Sequence, residues 1–325
     1  MQAMKILLTG GAGFIGSCLL WKLNARGFTE IIVVDHLGRS EKWKNLVGKQ
    51  FDDYLDRAAL LDALNDGRLA ERVDAIIHLG ACTSTTETDA TYLMDNNYRY
   101  SKTLAEWALA HRKRFIYASS AATYGAGEHG YSDQDEAAAR YRPLNMYGYS
   151  KHLFDLWVLA HSFQRQFVGL KFFNVYGPNE AHKGDMRSVV HKGYEQVKEA
   201  GKMRLFKSHR PEYRDGEQQR DFVYVKDAVE VICHFLDHPK QAGIFNLGTG
   251  TAQTWNDLAH ALFGALVRAP KIDYFDMPEA LRGKYQYHTQ ADIAKLRAAG
   301  YAKPFMDLQA GVADYVKILE TSEYL

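Results

Sequence analysis

The chain has 325 residues, 46% hydrophobic and 24% charged, which is enough to bury a large core in one large or two modest domains and excludes disordered or fibrous classes. A formal net charge of +1 provides no field of one sign for a nucleic-acid backbone or an anionic membrane, so any anionic ligand must be gripped locally. No apolar run approaches the ~20 residues that cross a bilayer, the amino-terminus leads straight into a strand pattern, and Cys18, Cys82 and Cys233 are spaced as reduced core residues, so a cytoplasmic location is expected.

From Met4 to about Phe173, short β-branched runs alternate with longer amphipathic segments, as in a parallel sheet with crossover helices. The pattern predicts strands at 5–9, 31–35, 75–79, 115–119 and 168–173, with helices at 14–26, 57–70, 90–111 and 147–165. Continuous apolar strands such as Ile31 to Val34 imply burial on both faces, which is the doubly wound α/β plan. Beyond Pro178 the regularity weakens. Helices are expected at 186–199, 227–238, 254–267, 290–299 and 307–319, strands at 203–206, 222–225 and 244–247, and a polar loop at 209–219. Residues 1–173 therefore read as a dinucleotide-binding domain with segments of about 221–248 interleaved, and 174–325 as mainly a smaller mixed α/β substrate lobe.

The first strand runs into Gly10, Gly13 and Gly16 at G-x-x-G-x-x-G spacing and then into a helix. Glycine permits the tight turn and the close approach of backbone to a pyrophosphate, and the helix N-terminus attracts the anion. Asp35 ends the second strand, where an acid can bind the adenosine ribose and favours NAD, whereas Lys42 and Arg57 lie near enough to pair with a 2′-phosphate and leave NADP open. Leu79, Gly80, Ala81 and Cys82 end a further strand where the chain passes the cofactor or simply turns.

Tyr147 and Lys151 form Tyr-x-x-x-Lys, placing both side chains on one helix face, where an ammonium can stabilise a phenolate and make tyrosine a usable base. Tyr98/Lys102 and Tyr194/Lys198 share that spacing and read as surface or packing residues. Tyr147 stands out because the strand before it delivers Ser119 and Ser120 to the ligand-binding edge, where the Ser120 hydroxyl can hold a substrate oxygen. Asn174 either binds substrate or caps its turn, Lys183 reads as a second proton carrier or a solvated lysine, and Arg220 either grips a diphosphate or pairs with Asp221. Tyr285 follows two cations in a segment suited to a nucleotide. No histidine, cysteine or carboxylate spacing suggests a metal site.

Taken with Gly80-Ala81-Cys82, Met94-Asp95-Asn96-Asn97-Tyr98, Ala118 to Gly125, His182-Lys183-Gly184, Arg220 to Val225 and Leu296 to Tyr301, these motifs give a whole-chain resemblance to extended short-chain dehydrogenases and, within them, to the ADP-heptose 6-epimerase family. That resemblance implies inversion at C6 of the heptose in ADP-D-glycero-β-D-manno-heptose, for the lipopolysaccharide inner core, by transient oxidation to a ketone with tightly bound NADP. It matches Phe14, Ile15, His36, Lys42, Arg57, Thr83, Asn96, Val175 and Lys183 to cofactor positions, and Ser120, Asn174, Asp185, Lys192, Phe206, Arg220 and Tyr285 to substrate positions. Tyr147 and Lys183 become paired bases, and a homo-oligomer is implied, family members being pentamers. Asp185 departs from a small polar residue, 209–219 is longer than in some members, and residues 1–3 precede the family's usual start. A UDP-sugar 4-epimerase, a nucleotide-sugar 4,6-dehydratase and a non-catalytic dinucleotide sensor are the competing readings.

Overall fold

The computed structural model describes residues 4–321 and 324–325, so residues 1–3 lie outside the described residues. In chain order it contains β1 (Ile6–Thr9), α1 (Phe14–Ala25), β2 (Ile31–Asp35), β3 (Asp53–Asp56), α2 (Arg57–Asn65), β4 (Ala75–His78), α3 (Ala90–Leu93), α4 (Tyr100–Ala110), β5 (Arg114–Ser120), α5 (Met146–Ala160), β6 (Val168–Phe172) and β7 (Asn174–Tyr176). It continues with α6 (Val189–Ala200), β8 (Met203–Phe206), β9 (Gln219–Tyr224), α7 (Val225–Asp237), β10 (Gly243–Leu247), β11 (Ala252–Thr254), α8 (Trp255–Ala265), β12 (Ile272–Phe275), α9 (Glu279–Arg282), α10 (Ala294–Ala298) and α11 (Leu308–Thr321).

Seven strands form one sheet in the order β10-β6-β5-β4-β1-β2-β3, and every neighbouring pair is parallel. Alternation along each strand explains why helices cover both faces. Ile6, Leu8, Ile31, Val33, Ile77 and Ile116 point into one core with α1 and α7, whereas Leu7, Ile32, Val34, Ile76, Phe115 and Tyr117 point into a second core with α2, α4 and α5. The chain progresses outward from β1 to β3 and then returns to place β4 on the other side of β1, which creates the switch point where such sheets bind ligands. Although β10 comes late in the sequence, it pairs with β6 at the sheet edge.

Two small sheets lie beyond: β11-β9-β7 and the parallel pair β12-β8. Several helices begin at side-chain caps, such as Asn145 for α5, Ser188 for α6 and the Thr254/Asp257 capping box for α8. The expected helix over 90–111 is interrupted by a π-helical turn at Met94–Arg99, which the apolar periodicity did not disclose. The expected helix over 290–299 shrinks to α10: Asp292 accepts from the nearby Ala294 N–H, while Gln290 donates to the carbonyl of Gly250, far off in the chain. Likewise α2 stops at Asn65, short of the expected Ala70, where Gly67 takes a left-handed conformation. Among the described residues no helix is long and apolar enough to cross a membrane and no group of three metal-ligating side chains occurs.

Candidate active site

A cleft of about 590 Å³ opens over the carboxyl ends of β1, β2, β4 and β5. Its floor is the glycine turn. Gly10 has φ +70°, and a Cβ on it would lie 2.7 Å from the Gly80 nitrogen; a Cβ on Gly16 would overlap the Gly10 carbonyl oxygen. Only glycine lets the two strand ends and α1 approach this closely. α1 has no side-chain cap and no acid in its first turn, so its free N–H groups present a positive end to the cleft, as an anionic pyrophosphate requires. Gly10, Gly13, Phe14, Ile15, Gly16, Asp35, His36, Lys42, Arg57, Leu79, Gly80, Ala81, Cys82, Thr83, Asn96, Tyr147, Lys151 and Lys183 all line this one cavity.

Asp35 is already engaged. Its carboxylate accepts the Ala12 N–H at 2.9 Å, the His36 N–H at 2.7 Å and the Lys42 ammonium at 2.5 Å. The acid therefore braces the turn, and Lys42 neutralises it. His36, Arg39, Ser40, Lys42 and Arg57 make this end of the cleft cationic, and Arg57 is oriented by Asn96. Arg39 and Ser40 were not singled out in the sequence, although their place just after β2 was the available signal.

α5 carries Tyr147 and Lys151 to the opposite wall. Burial raises the Tyr147 pKa, the Ser120 hydroxyl beside it lowers it, and Cys82 opposes that. Lys151 donates to the Ala118 carbonyl at 2.8 Å, and burial pushes its pKa down to about 8. Burial of Tyr147 thus works against the phenolate that its spacing from Lys151 suggests. Asn97 ties this wall to the β4 end: it bonds both backbone groups of Cys82 and the Ser150 hydroxyl at 2.9 to 3.0 Å. Beneath the floor, His78 bonds Thr9 and Ser101 and burial pushes its pKa down to about 3.

Lys183 enters the same cavity from the 181–186 segment, its ammonium 5.4 Å from the centre of the Phe14 ring. Burial lowers its pKa, with Glu180 opposing. Tyr147 and Lys183 consequently share one cleft from different parts of the chain.

A second cluster forms in the carboxy-terminal lobe. The Arg220 guanidinium is buried 4.9 Å from the Tyr285 ring and 5.7 Å from Trp255, Trp255 donates to the Tyr285 hydroxyl at 2.8 Å, and the Phe206 and Tyr285 rings meet edge-on at 6.3 Å. Burial lowers the Arg220 pKa, and the neighbours that act on its charge are tyrosines. The alternative Arg220/Asp221 surface pair is not formed: Asp221 is buried and accepts from Thr249, Gly250 and Ala291. Trp255 carried no signal in the sequence beyond being aromatic. Other expected site residues fall outside both groups. Asn174 lies in β7, Val175 packs against the core, and Lys192 donates to the Asp185 carbonyl at 3.2 Å.

A profile of the NAD dependent epimerase/dehydratase family matches residues 6–248. The chain is 55% identical over 311 residues to an ADP-L-glycero-D-manno-heptose-6-epimerase of Nitratidesulfovibrio vulgaris, covering 96% of each chain. It superposes with TM-score 0.81 and 30% identity on the Helicobacter pylori ADP-L-glycero-D-manno-heptose-6-epimerase, covering 98% of this chain and 97% of that one. A Thermus thermophilus UDP-glucose 4-epimerase in complex with NAD gives TM-score 0.78 and 26% identity over 98% of this chain and 100% of that one.

Proposed function

The chain belongs to the NAD dependent epimerase/dehydratase family, and on that premise we propose that it inverts C6 of the heptose in ADP-D-glycero-β-D-manno-heptose, using a nicotinamide dinucleotide held in the cleft. The observation that carries the reading is Tyr147 and Lys183 lining one cavity from separate segments. Inversion through a ketone needs proton carriers that reach the oxygen from two sides, and a net dehydrogenase needs only one.

The glycine turn and the uncapped end of α1 would hold the pyrophosphate. The fit extends to the adenosine end, where His36, Arg39, Ser40, Lys42 and Arg57 surround an Asp35 already neutralised by Lys42. That arrangement supports NADP over NAD, because a 2′-phosphate meets cations and no free carboxylate. When bound, the nicotinamide supplies hydride acceptance and return at C6.

The protein's part is proton management and grip. Burial favours the neutral amine of Lys183 and the neutral phenol of Tyr147. Lys183 takes the C6 hydroxyl proton as the carbonyl forms; Tyr147, with Ser120 beside it, gives a proton to that oxygen as the alcohol re-forms on the other face. Exchange with solvent resets the pair, and the roles reverse in the opposite direction. Arg220, Tyr285 and Phe206 form the grip for the nucleoside diphosphate, where a buried cation flanked by aromatic rings suits a phosphate and a base.

The test is to identify the nucleotide released on denaturation and to follow the C6 epimers of ADP-heptose by NMR, with UDP-galactose in parallel. Interconversion of the heptose epimers with no lasting change in nicotinamide absorbance is expected. Tyr147→Phe should lower the rate about a thousandfold. Turnover of UDP-galactose alone, or near-normal epimerisation by Lys183→Ala, would overturn the reading.

A further inference from the structure

Lys183 sits on a short segment whose conformation has to be imposed, because Gly184 interrupts it with φ 54° and nothing packs where a Cβ would stand. The base of that segment is closed by Glu180, a carboxylate 1% exposed. Its two oxygens accept from the Ser188 backbone N–H and the Ser188 hydroxyl, both at 2.6 Å. Ser188 is also the N-cap of α6, accepting the His191 N–H at 3.2 Å. His191 in turn bonds the Tyr315 hydroxyl of α11 at 2.8 Å, so the clasp is anchored on two helices. Within the segment, the Lys183 N–H donates to the Glu180 carbonyl at 2.9 Å, and Arg187 donates to the Gly184 carbonyl while pairing with Glu195 of α6 at 2.5 Å.

Resting on the reading of Lys183 as a proton carrier, we propose that Glu180 is its positioning residue: the carboxylate clasps the two ends of the 181–187 segment through Ser188 and sets its charge at the base of the segment that carries Lys183. Burial raises the Glu180 pKa, and four partners work against that in favour of the carboxylate: two donors from Ser188, the Lys183 charge and the Tyr315 hydroxyl. Several charged groups face the clasp as well: Arg187 pairs with Glu195 on α6, Lys42 acts on His182, and Lys49 and Lys226 act on Cys18. Burial raises Cys18 of α1 and Tyr315 of α11, and burial lowers His191 of α6 and His182 of the segment itself. Of these neighbours, Glu180 acts on the Lys183 charge itself and pulls the lysine back toward its ordinary range against desolvation.

The experiment compares Glu180→Gln, Ser188→Ala and Lys183→Ala full-chain enzymes reconstituted with the nucleotide, measuring kcat and KM for ADP-heptose epimerisation across pH. Glu180→Gln keeps the shape and removes the charge, so kcat should fall roughly tenfold with KM within about twofold, and the pH limb that depends on Lys183 should move to lower pH by about 1. Ser188→Ala keeps the charge and loosens the clasp, so kcat should fall severalfold with that limb in place. A merely structural role would lower the melting temperature and leave the limb unmoved. An unmoved limb in Glu180→Gln, or a normal kcat in Ser188→Ala, overturns the proposal while Lys183→Ala remains inactive. Near-normal epimerisation by Lys183→Ala overturns the proton-carrier reading and the proposal with it.

Discussion

The two walls of the cleft deliver a lysine each and are built on opposite principles. On the α5 wall, Lys151 rides a fifteen-residue helix, and one turn further on Asp155 accepts from Ser119 at 2.7 Å, Tyr117 at 3.0 Å and the buried Lys171 ammonium at 2.5 Å. On the facing wall, Lys183 rides a six-residue segment broken at Gly184 and closed by Glu180. Each lysine has a buried carboxylate behind it, Asp155 for one and Glu180 for the other, and each carboxylate raises its lysine's pKa against burial. The first wall is held by the core of the sheet, whereas the second depends on a local clasp. Geometry at the first wall should be hard to disturb without unfolding the protein; at the second, catalysis should fail before stability does.

Asp155→Asn is the harshest way to break this contrast. It leaves the Lys171 ammonium, 4% exposed, without the carboxylate that is its one ion-pair partner among the described residues. A loss of about 3–5 kcal/mol is expected, since an uncompensated buried charge costs far more than the pair contributes. Urea unfolding would measure it, and a loss under about 1 kcal/mol would show that the α5 wall is not held through this pair.

The next test uses pH. Burial puts Lys151 at about 8, below its ordinary 10.5. Between those values the unfolded chain binds a proton that the folded chain does not, so the contribution of Lys151 to stability should rise as pH climbs from about 8 to about 10.5, by on the order of 3 kcal/mol. Lys183 is lowered as well and adds a slope of the same sign. The buried Cys18 and Cys233 thiols and the Tyr147 phenol, whose pKa values burial raises, slope the other way. The change in unfolding midpoint from pH 8 to pH 10 should be more favourable in the wild type than in Lys151→Met, a difference that isolates this lysine from the thiols and phenols. An identical pH dependence in wild type and Lys151→Met would contradict the burial argument for this lysine.

Gly184→Ala probes the other wall. Its φ of 54° makes any side chain unfavourable, by about 1 kcal/mol, but no atom lies within 4 Å of the added methyl. Stability should drop by about that amount. Displacement of Lys183 should cost kcat tenfold or more, because small misplacements of a catalytic group are expensive. Equal fractional losses in stability and kcat would erase the distinction between the walls.

The same contrast decides what was readable from residues alone. Strands β1, β2, β4, β5 and β6 were legible because burial on both faces leaves continuous apolar runs. β3, with the sequence Asp-Tyr-Leu-Asp and only half-buried, carries no such run, and β7 is three residues long. The glycine turn and Tyr147/Lys151 were legible because their function lies in local spacing. Asp155, Glu180 and Ser188 were not, because their roles depend on partners brought together by the fold: Lys171 from β6, and His191 and Tyr315 from two later helices. The engagement of Asp35 by Lys42 was missed for the same reason: spacing gave proximity, and only coordinates gave the contact.

Lys192 supplies the gentlest comparison. Its resemblance-based assignment is to substrate, but its ammonium reaches the Asp185 carbonyl on the Lys183 segment at 3.2 Å, in an exposed position. If tethering is its contribution, Lys192→Ala should change stability by less than about 0.5 kcal/mol and lower kcat about twofold with KM unchanged, because a loop restraint acts on the reacting geometry and not on ground-state binding. A substrate phosphate contact would do the reverse, raising KM tenfold or more at constant kcat, since a charge-assisted bond is worth roughly 1.5–3 kcal/mol. Steady-state kinetics at two ionic strengths separates the cases: salt should weaken a phosphate contact in wild type and leave a lysine-to-carbonyl tether nearly untouched.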